Sequence, residues 1–204
     1  SCVYPNCDLC PDDDIISSLN ITYPSHFTIE GSDNPYLSLY PDSVIIEFPG
    51  ELEFGSEAGV YLSSSTGSGF NTDNWTSSQL NENSISLEFS QVPASDILEL
   101  TIDWDIVSFS NCNNNNFDGQ SVITLYTQIL GDYSHDNYLD SDDVQSLINY
   151  WNNNTTSQNN MYIDLAPVTG SPPNFYSTPD GVWNIDDIMA FIRNWRWFQD
   201  NPQS

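Results

Sequence analysis

A loop-and-helix pattern occurs twice in the last third of the chain, and it constrains the fold more than any other feature of the sequence. Apolar residues recur at helical spacing in two segments that lie 44 positions apart. They are Val144, Leu147, Ile148 and Trp151 in the first segment, and Ile188, Phe191, Ile192 and Trp195 in the second. A short amphipathic helix cannot bury its apolar stripe alone. The sequence therefore predicts two helices that pack against each other.

The segment before the first helix carries oxygen donors at alternating positions. When Asp132 is counted as position 1, donors fall at positions 1, 3, 5, 9 and 12, and they are Asp132, Ser134, Asp136, Asp140 and Asp143. Asn137 at position 6 tolerates a left-handed turn, Tyr138 at position 7 offers its carbonyl, and Leu139 at position 8 is apolar. Calcium takes about six to eight oxygen ligands, so this spacing predicts a calcium loop. The alternative is a solvated acidic turn that caps the helix.

The loop before the second helix matches this pattern only in part. Its residues at positions 5, 6, 7, 8, 9 and 12 are Asp180, Gly181, Val182, Trp183, Asn184 and Asp187. Direct counting places Tyr176 at position 1, where its side chain is not a calcium ligand. Asp164 supplies a carboxylate there if an insertion bulges out of the loop, which costs little closure entropy. We therefore expect a second calcium site, with position 3 unassigned, formed by Asp164, Asp180, the carbonyl of Val182, Asn184 and Asp187.

These two units resemble a type I dockerin module, in which paired EF-hand-like calcium loops lack the entering helix of a true EF-hand. The resemblance covers about residues 131–198, and it departs from the family pattern at Asn137 and at the insertion. It implies two bound Ca²⁺ ions, calcium-dependent folding and docking to a cohesin-like β-sandwich. In that family the residues after position 9 face the partner, and the candidates here are Ser141, Asp142, Ile185 and Asp186.

Residues 15–130 show a different pattern, in which apolar and polar residues alternate. In the clearest segment, 97–106, one face carries Leu98, Leu100, Ile102, Trp104 and Ile106. The other strand candidates are 15–23, 37–40, 43–48, 84–90 and 121–129. Short alternating segments between polar loops, here including 63–69 and 111–119, are typical of an antiparallel β-sandwich of about seven strands.

The charge balance excludes several classes of partner. The chain has 29 acidic residues against two cations, Arg193 and Arg196, and its formal net charge is -27. Such a surface cannot displace counterions from a nucleic acid, and anionic membranes repel it. No apolar run reaches the roughly 18 residues that a membrane-spanning helix needs. We therefore expect no nucleic-acid partner and no membrane insertion.

Four cysteines point to an oxidising compartment. They are Cys2, Cys7, Cys10 and Cys112. Their spacing also matches an iron–sulfur or zinc pattern on paper, but an even count with a tight terminal cluster favours two disulfides, with three pairings open. Disulfides would tether the N-terminus to the loop at Cys112 and imply secretion or a cell-surface location. No signal peptide is visible, so we interpret the chain as a processed product.

Nothing in the sequence singles out a catalytic centre. The two histidines, His26 and His135, belong to no recognisable triad or metal motif, and no acid pair stands out among the carboxylates. We therefore expect no enzymatic activity. The tyrosines Tyr36, Tyr40 and Tyr61, together with Trp75, offer a sugar-binding face, although core packing is the expected role for most of them.

The combined prediction is a mainly β protein. It has a disulfide-tethered segment (1–11), an antiparallel β-sandwich (12–130) and a small α-helical, dockerin-like calcium module (131–204). The expected function is that of a secreted structural or adhesive protein, which assembles with identical subunits or a cohesin-like domain, for instance as a filament. The alternative is a glycan-binding β-sandwich that a dockerin attaches to a polysaccharide-degrading complex.

Overall fold

The computed structural model describes residues 19–22, 26–28, 35–39, 43–110, 119–152 and 163–202. Within these ranges the protein is mainly β. The strands are β1 (Asn20–Thr22), β2 (His26–Thr28), β3 (Pro35–Leu37), β4 (Ser43–Glu47), β5 (Val60–Ser64), β6 (Trp75–Asn81), β7 (Ser84–Phe89), β8 (Ile97–Asp103), β9 (Gln120–Thr127), β10 (Val168–Ser171) and β11 (Asn174–Ser177). The helices are α1 (Ser141–Asn152) and α2 (Ile185–Asp200), and a 3₁₀ turn covers Ser56–Gly59.

Strands β1 to β9 form two sheets. The four-stranded sheet has the order β1-β4-β7-β6, and its pairs are antiparallel. The five-stranded sheet has the order β2-β3-β9-β8-β5, and it is antiparallel except between β3 and β9, where Tyr36 lies beside Tyr126 in a parallel ladder. β10 and β11 form a separate antiparallel hairpin. The predicted all-antiparallel arrangement is therefore wrong at one pair of strands.

One hydrophobic cluster takes side chains from both sheets. Its members include Val44, Ile46, Ile85 and Leu87 from the four-stranded sheet, and Leu62, Leu98, Leu100, Ile102 and Leu125 from the five-stranded sheet. The inward face of β8 follows the predicted alternation, since its three apolar side chains are fully buried. Burial contributes about 1.5–3 kcal/mol for each large apolar side chain. This shared core is what holds the two sheets to each other.

The strand assignments from the sequence agree with the structure in the central strands and fail at the margins. The predicted segments 43–48, 84–90 and 121–129 correspond to β4, β7 and β9, whereas the segment 37–40 overlaps β3 only at Leu37. Strands β2, β5 and β6 fall outside the predicted segments. Ser63 and Ser64, predicted as loop residues, end β5 instead, and Ile106 is 46% exposed because β8 already ends at Asp103.

A second hydrophobic cluster joins the two helices to one end of the β part. It contains Leu39, Ala94, Ile129 and Leu130 from the β part, and Leu139, Leu147, Leu165, Phe175, Ala190, Phe191 and Phe198 from the C-terminal part. The buried side chain of Asn194 in α2 donates from Nδ2 to the Leu130 carbonyl at 2.8 Å. The expected boundary after residue 130 therefore lies within a core that both parts share.

Gly131 marks the passage between the two parts. Its φ is 87°, a left-handed conformation that favours glycine. A Cβ at this position would lie 2.6 Å from Cδ2 of Phe191, so the backbone also approaches α2 too closely for any side chain.

The predicted disulfides cannot be placed in this fold. The four cysteines and the segment 1–11 lie outside the described residues. Among the helices that are described, none has the length and apolar character needed to cross a membrane.

Candidate calcium-binding loops

The first loop is wrapped around Asp132. The side chain is 3% exposed, and its Oδ1 accepts from the His135 amide at 2.7 Å and from the Ser134 hydroxyl at 3.2 Å. Its Oδ2 accepts from the Asn137 amide at 3.0 Å. The first predicted ligand of the loop is therefore its structural centre, because the following turn folds over it.

Asp143 closes the same loop from the other end. It lies in the first turn of α1 and is fully buried. Its Oδ1 accepts from the amides of Tyr133 and Ser134 at 2.8 and 3.0 Å, and its Oδ2 accepts from the Asp140 amide at 2.9 Å. The start of α1 thus brings position 12 back against positions 2, 3 and 9 of the loop.

The remaining carboxylates of the first loop and the side chain of Tyr138 lie at its surface. Asn137 has a φ of 65°, the left-handed conformation expected at position 6. Asp136 and Asp140 are exposed, and each accepts from the amide two residues later in the chain. The Tyr138 side chain is 57% exposed, whereas Leu139 is buried in the second cluster, as expected.

The second loop repeats this arrangement with Asp164 and Asp187. They are 2% and 0% exposed. Oδ2 of Asp164 accepts from the Gly181 amide at 2.6 Å, as Oδ2 of Asp132 accepts from Asn137. Oδ1 of Asp187 accepts from the Leu165 and Ala166 amides, both at 2.8 Å. Asp164 therefore takes the place in the second loop that Asp132 has in the first.

The start of α2 completes the second loop. Asn184 and Asp187 form a capping box, in which the Asn184 amide donates to Oδ2 of Asp187 at 2.7 Å and Oδ1 of Asn184 accepts from the Asp186 amide at 2.6 Å. Asp180 is exposed and accepts from the Val182 amide at 2.8 Å. Tyr176, the other residue considered for position 1, lies in β11.

The insertion in the second loop folds as the β10–β11 hairpin, which the sequence analysis did not predict. Phe175 is fully buried, and its carbonyl accepts from the Ala94 amide at 2.8 Å. Asn174 donates from Nδ2 to the carbonyls of Ala94 and Ser95 at 3.0 and 3.1 Å. The Pro172-Pro173 pair marks a turn between two short segments, and it is the signal that could have revealed the hairpin.

The two helices bury only part of their predicted stripes. Leu147 and Phe191 are 7% and 2% exposed, but Ile148, Trp151 and Ile192 are 43–48% exposed. The cross-contacts run from loop to helix, since the Tyr133 ring stacks on Phe191 at 5.7 Å and Trp151 meets Trp183 at 6.0 Å. The expectation that the stripes bury each other is therefore wrong for their outer halves.

Burial perturbs the carboxylates of both loops. Desolvation raises the pKa of Asp132 to about 6, and the nearby charge of Asp143 adds to the effect. Desolvation also raises the pKa of Asp143 and that of Asp164, against the opposing effect of the amides that donate to them. Both loops thus enclose carboxylates whose charge is poorly solvated.

These carboxylates fit a hard divalent cation. Buried charges are normally paired with an opposite charge or bound to a metal. Among the described residues, Asp132, Asp143 and Asp187 take part in no ion pair, and Arg196 pairs instead with Asp200 at 3.9 Å. Each loop adds hydroxyl, amide or carbonyl oxygens to its carboxylates, which is the all-oxygen donor set that calcium prefers.

The case for calcium depends on several kinds of oxygen donor in each loop and not on a preassembled cluster of acidic side chains. Within the described ranges, no group of three or more His, Cys, Asp or Glu side chains is assembled to hold a metal ion. The carboxylate oxygens turn instead to loop amides. Binding would therefore require the exposed side chains Asp136, Asp140 and Asp180 to turn inward.

The other residues singled out from the sequence are distributed as follows. The partner-facing candidates Ser141, Asp142, Ile185 and Asp186 are all exposed. Trp75 belongs to the main core, and Tyr61 packs against it. Tyr36 is half-buried in a cavity beside Tyr126, while Tyr40 and the side chain of His26 lie outside the described residues.

Comparison with known proteins does not assign a family. No family model matches the chain, and no curated protein matches it. A solved structure of an LD-transpeptidase in complex with imipenem aligns with 53% of this chain and 42% of its own, at 8% sequence identity and a TM-score of 0.30. A likeness this distant carries no argument about fold or function.

Proposed function

We propose that this chain is a secreted, non-catalytic structural protein that binds two Ca²⁺ ions and uses its C-terminal part for assembly. In this proposal a β-sandwich formed by the two sheets presents a dockerin-like calcium module. Support for the sandwich comes from the core cluster that both sheets share. The partner is a second copy of the chain or a cohesin-like domain, since the overall charge disfavours nucleic acids and anionic membranes.

The observation that carries the proposal is the equivalence of the two loops. Asp132 with Asp143, and Asp164 with Asp187, are buried carboxylate pairs that receive amides from matching loop positions. A merely solvated acidic turn would leave such carboxylates in water. Calcium would neutralise the buried charge and bring the exposed aspartates into the loops, so folding of this part and metal binding become linked.

An exposed apolar face on α2 supports assembly. Ile185, Met189 and Ile192 follow helical spacing and are 58%, 48% and 43% exposed, and Val182 lies beside the start of the helix at 56%. Large apolar side chains that are about half exposed along one helix face are a common feature of interaction sites. Ile185 is also one of the residues expected to face a partner.

Calcium-dependent assembly is tested by light scattering and electron microscopy of the full chain, with calcium and with chelator. We expect larger species in calcium that return to monomers after chelation. Met189→Glu should abolish these species while calcium is still bound, because it places a charge in the centre of the apolar face.

Ile106→Glu is the matched control, since Ile106 is similarly exposed but belongs to the β part. This variant should assemble like the original protein. A protein that stays monomeric in calcium, with no cohesin-like partner retained, would overturn assembly. Absence of calcium binding by calorimetry would overturn the whole proposal.

A further inference from the structure

A cavity of about 350 Å³ lies where the five-stranded sheet meets the end of α2. Tyr36 from β3 and Tyr126 from β9 line one part of it, and Trp197 from α2 lines another. Asn137 of the first loop and Asn201 after α2 complete this set. The walls therefore come from both parts of the molecule, and the volume is typical of a small-molecule site.

The aromatic side chains of this cavity leave ring surface uncovered. The rings of Tyr36 and Tyr126 lie 5.3 Å apart at an angle of 33°, and both residues are half-buried. Trp197 is also half-buried and is held edge-to-face by the buried ring of Phe198 at 5.0 Å. These three rings offer flat apolar surface on a support that is already packed.

The polar groups around the rings have spare hydrogen-bonding capacity. Asn137 donates from Nδ2 to the Tyr36 hydroxyl at 3.4 Å, and Asn201 donates from Nδ2 to the Trp197 carbonyl at 2.9 Å. Within the described residues no group donates to the side-chain oxygen of either asparagine, so each oxygen is left as an acceptor.

The charges around the cavity select against ionic ligands. The described lining residues include no arginine and no histidine, so an anion finds no counter-charge. Asp96 lines the cavity, but its carboxylate already accepts from the hydroxyls of Ser64, Thr66 and Ser68 and from the Ile97 amide. It is therefore committed within the protein and is not free to pair with a cation.

We propose that this cavity binds a neutral saccharide, with the apolar face of a sugar ring against Tyr36, Tyr126 or Trp197 and its hydroxyls donating to the Asn137 and Asn201 side chains. A sugar ring combines a flat C–H face with hydroxyls around its edge, which matches aromatic surface bordered by amide oxygens. Sugar binding is a further activity beyond calcium-dependent assembly. The two proposed sites share only Asn137, which belongs to the first loop.

The test is a titration of the calcium-loaded full chain with neutral gluco-, manno- and xylo-oligosaccharides, followed by tryptophan fluorescence and calorimetry. We expect at least one of these series to bind. Trp197→Ala should weaken that binding at least about tenfold, and Trp197→Phe should restore part of it, because the second variant keeps a ring in the cavity.

Tyr36→Phe keeps the ring but removes the hydroxyl that holds Asn137, and it should weaken binding severalfold even if Trp197→Ala fails to fold. Phe54→Ala, which truncates an aromatic ring that is 98% exposed, is the matched control and should bind normally.

The proposal is overturned if no neutral oligosaccharide binds at millimolar concentration, if choline or a sulfated oligosaccharide binds in its place, or if the Trp197 and Tyr36 variants bind like the original protein. If the chain binds calcium but no sugar, the sugar site is refuted and the calcium sites are not. If it binds sugar but no calcium, the calcium sites are refuted and the sugar site is not.

Discussion

The two loops reach the same arrangement of carboxylates by different paths through the sequence. In the first, 11 positions separate Asp132 from Asp143, whereas in the second, 23 positions separate Asp164 from Asp187. Yet a left-handed residue donates to the first carboxylate in both loops, and the start of a helix presents the second. The turn and the helix start, which have the same spacing in both loops, therefore define the site, and the chain between the first carboxylate and the turn is free to vary.

The added chain gives the second loop a connection that the first does not have. The β10–β11 hairpin fixes Phe175 against Ala94 at the end of the β part, and the guanidinium of Arg193 in α2 lies 4.7 Å from the centre of the Phe175 ring. The first loop is contiguous and is held by Gly131 and Phe191. We therefore expect changes in the hairpin to alter calcium binding at the second site and to leave calcium binding at the first site unaffected.

Removal of calcium is expected to have the largest effect, because it acts on both loops. Each site stabilises the fold by about 2.7 kcal/mol when free calcium exceeds its Kd a hundredfold, so two sites contribute about 5 kcal/mol. Calorimetry of the full chain should show a large loss of melting temperature in chelator, and circular dichroism should show a loss of helical signal. An identical melt with and without chelator would refute both sites.

Phe175→Ala is expected to have the next largest effect. Truncation of a fully buried phenylalanine costs about 3–5 kcal/mol, here at the point where the hairpin meets the β part. Calcium titration of this variant should show a weakened second site and an unchanged first site. Ser171→Ala, at an exposed position of the same hairpin, is the control. Equal weakening of both sites would contradict the separate anchoring of the second loop.

Truncation of one ligand should remove one site and leave the other. Asp143→Ala and Asp187→Ala each delete the residue at position 12, which supplies two oxygens to calcium, and each should reduce the stoichiometry from two ions to one. The loss of stability in calcium is expected to be about 2.7 kcal/mol under the same conditions. Asp142→Ala and Asp186→Ala, the exposed neighbours, should retain two ions. Full stoichiometry in either position-12 variant would show that its ligand set is wrong.

The features that could be predicted from the sequence are those that leave a local pattern in it. The loop pattern is local, so the side chains that meet in the first loop lie within a few residues, and Asn137 adopts the expected left-handed turn. Asp164 could be selected from the sequence for a similar reason, since only the length of the insertion had to be inferred. The central strands could be predicted because burial on one face makes apolar and polar residues alternate along the strand.

The features that the sequence did not predict depend on contacts between residues distant in sequence or on position at the surface. β6 is an edge strand with a mostly polar sequence, so no alternating pattern predicts it. The parallel pairing of β3 with β9 joins residues about ninety positions apart and leaves no local signal. The exposure of Ile148, Trp151 and Ile192 could not be predicted either, because an apolar stripe looks the same whether it is covered by the protein or by a partner.

The smallest expected effect is a difference in pH dependence between the two loops. For an acid whose folded-state pKa lies above its unfolded value, the folded state binds protons more tightly. Asp132, raised from 3.8 to about 6, therefore stabilises the calcium-free protein most at low pH, and this contribution is lost as the pH rises through that window. In calcium the pH dependence of stability has the opposite sign, because calcium binds the ionised carboxylates and competes with protons.

Melting curves in chelator and in calcium should therefore diverge as the pH rises, and the loops should contribute unequally. Desolvation is the largest cause of the raised pKa in both loops, and it brings the pKa of Asp132 to about 6, whereas that of Asp164 is raised by less. Asp132→Asn should accordingly flatten the pH dependence in chelator more than Asp164→Asn does. Equal slopes in the two variants would mean that burial affects the two carboxylates alike, and that the loops differ only in how the chain connects their ends.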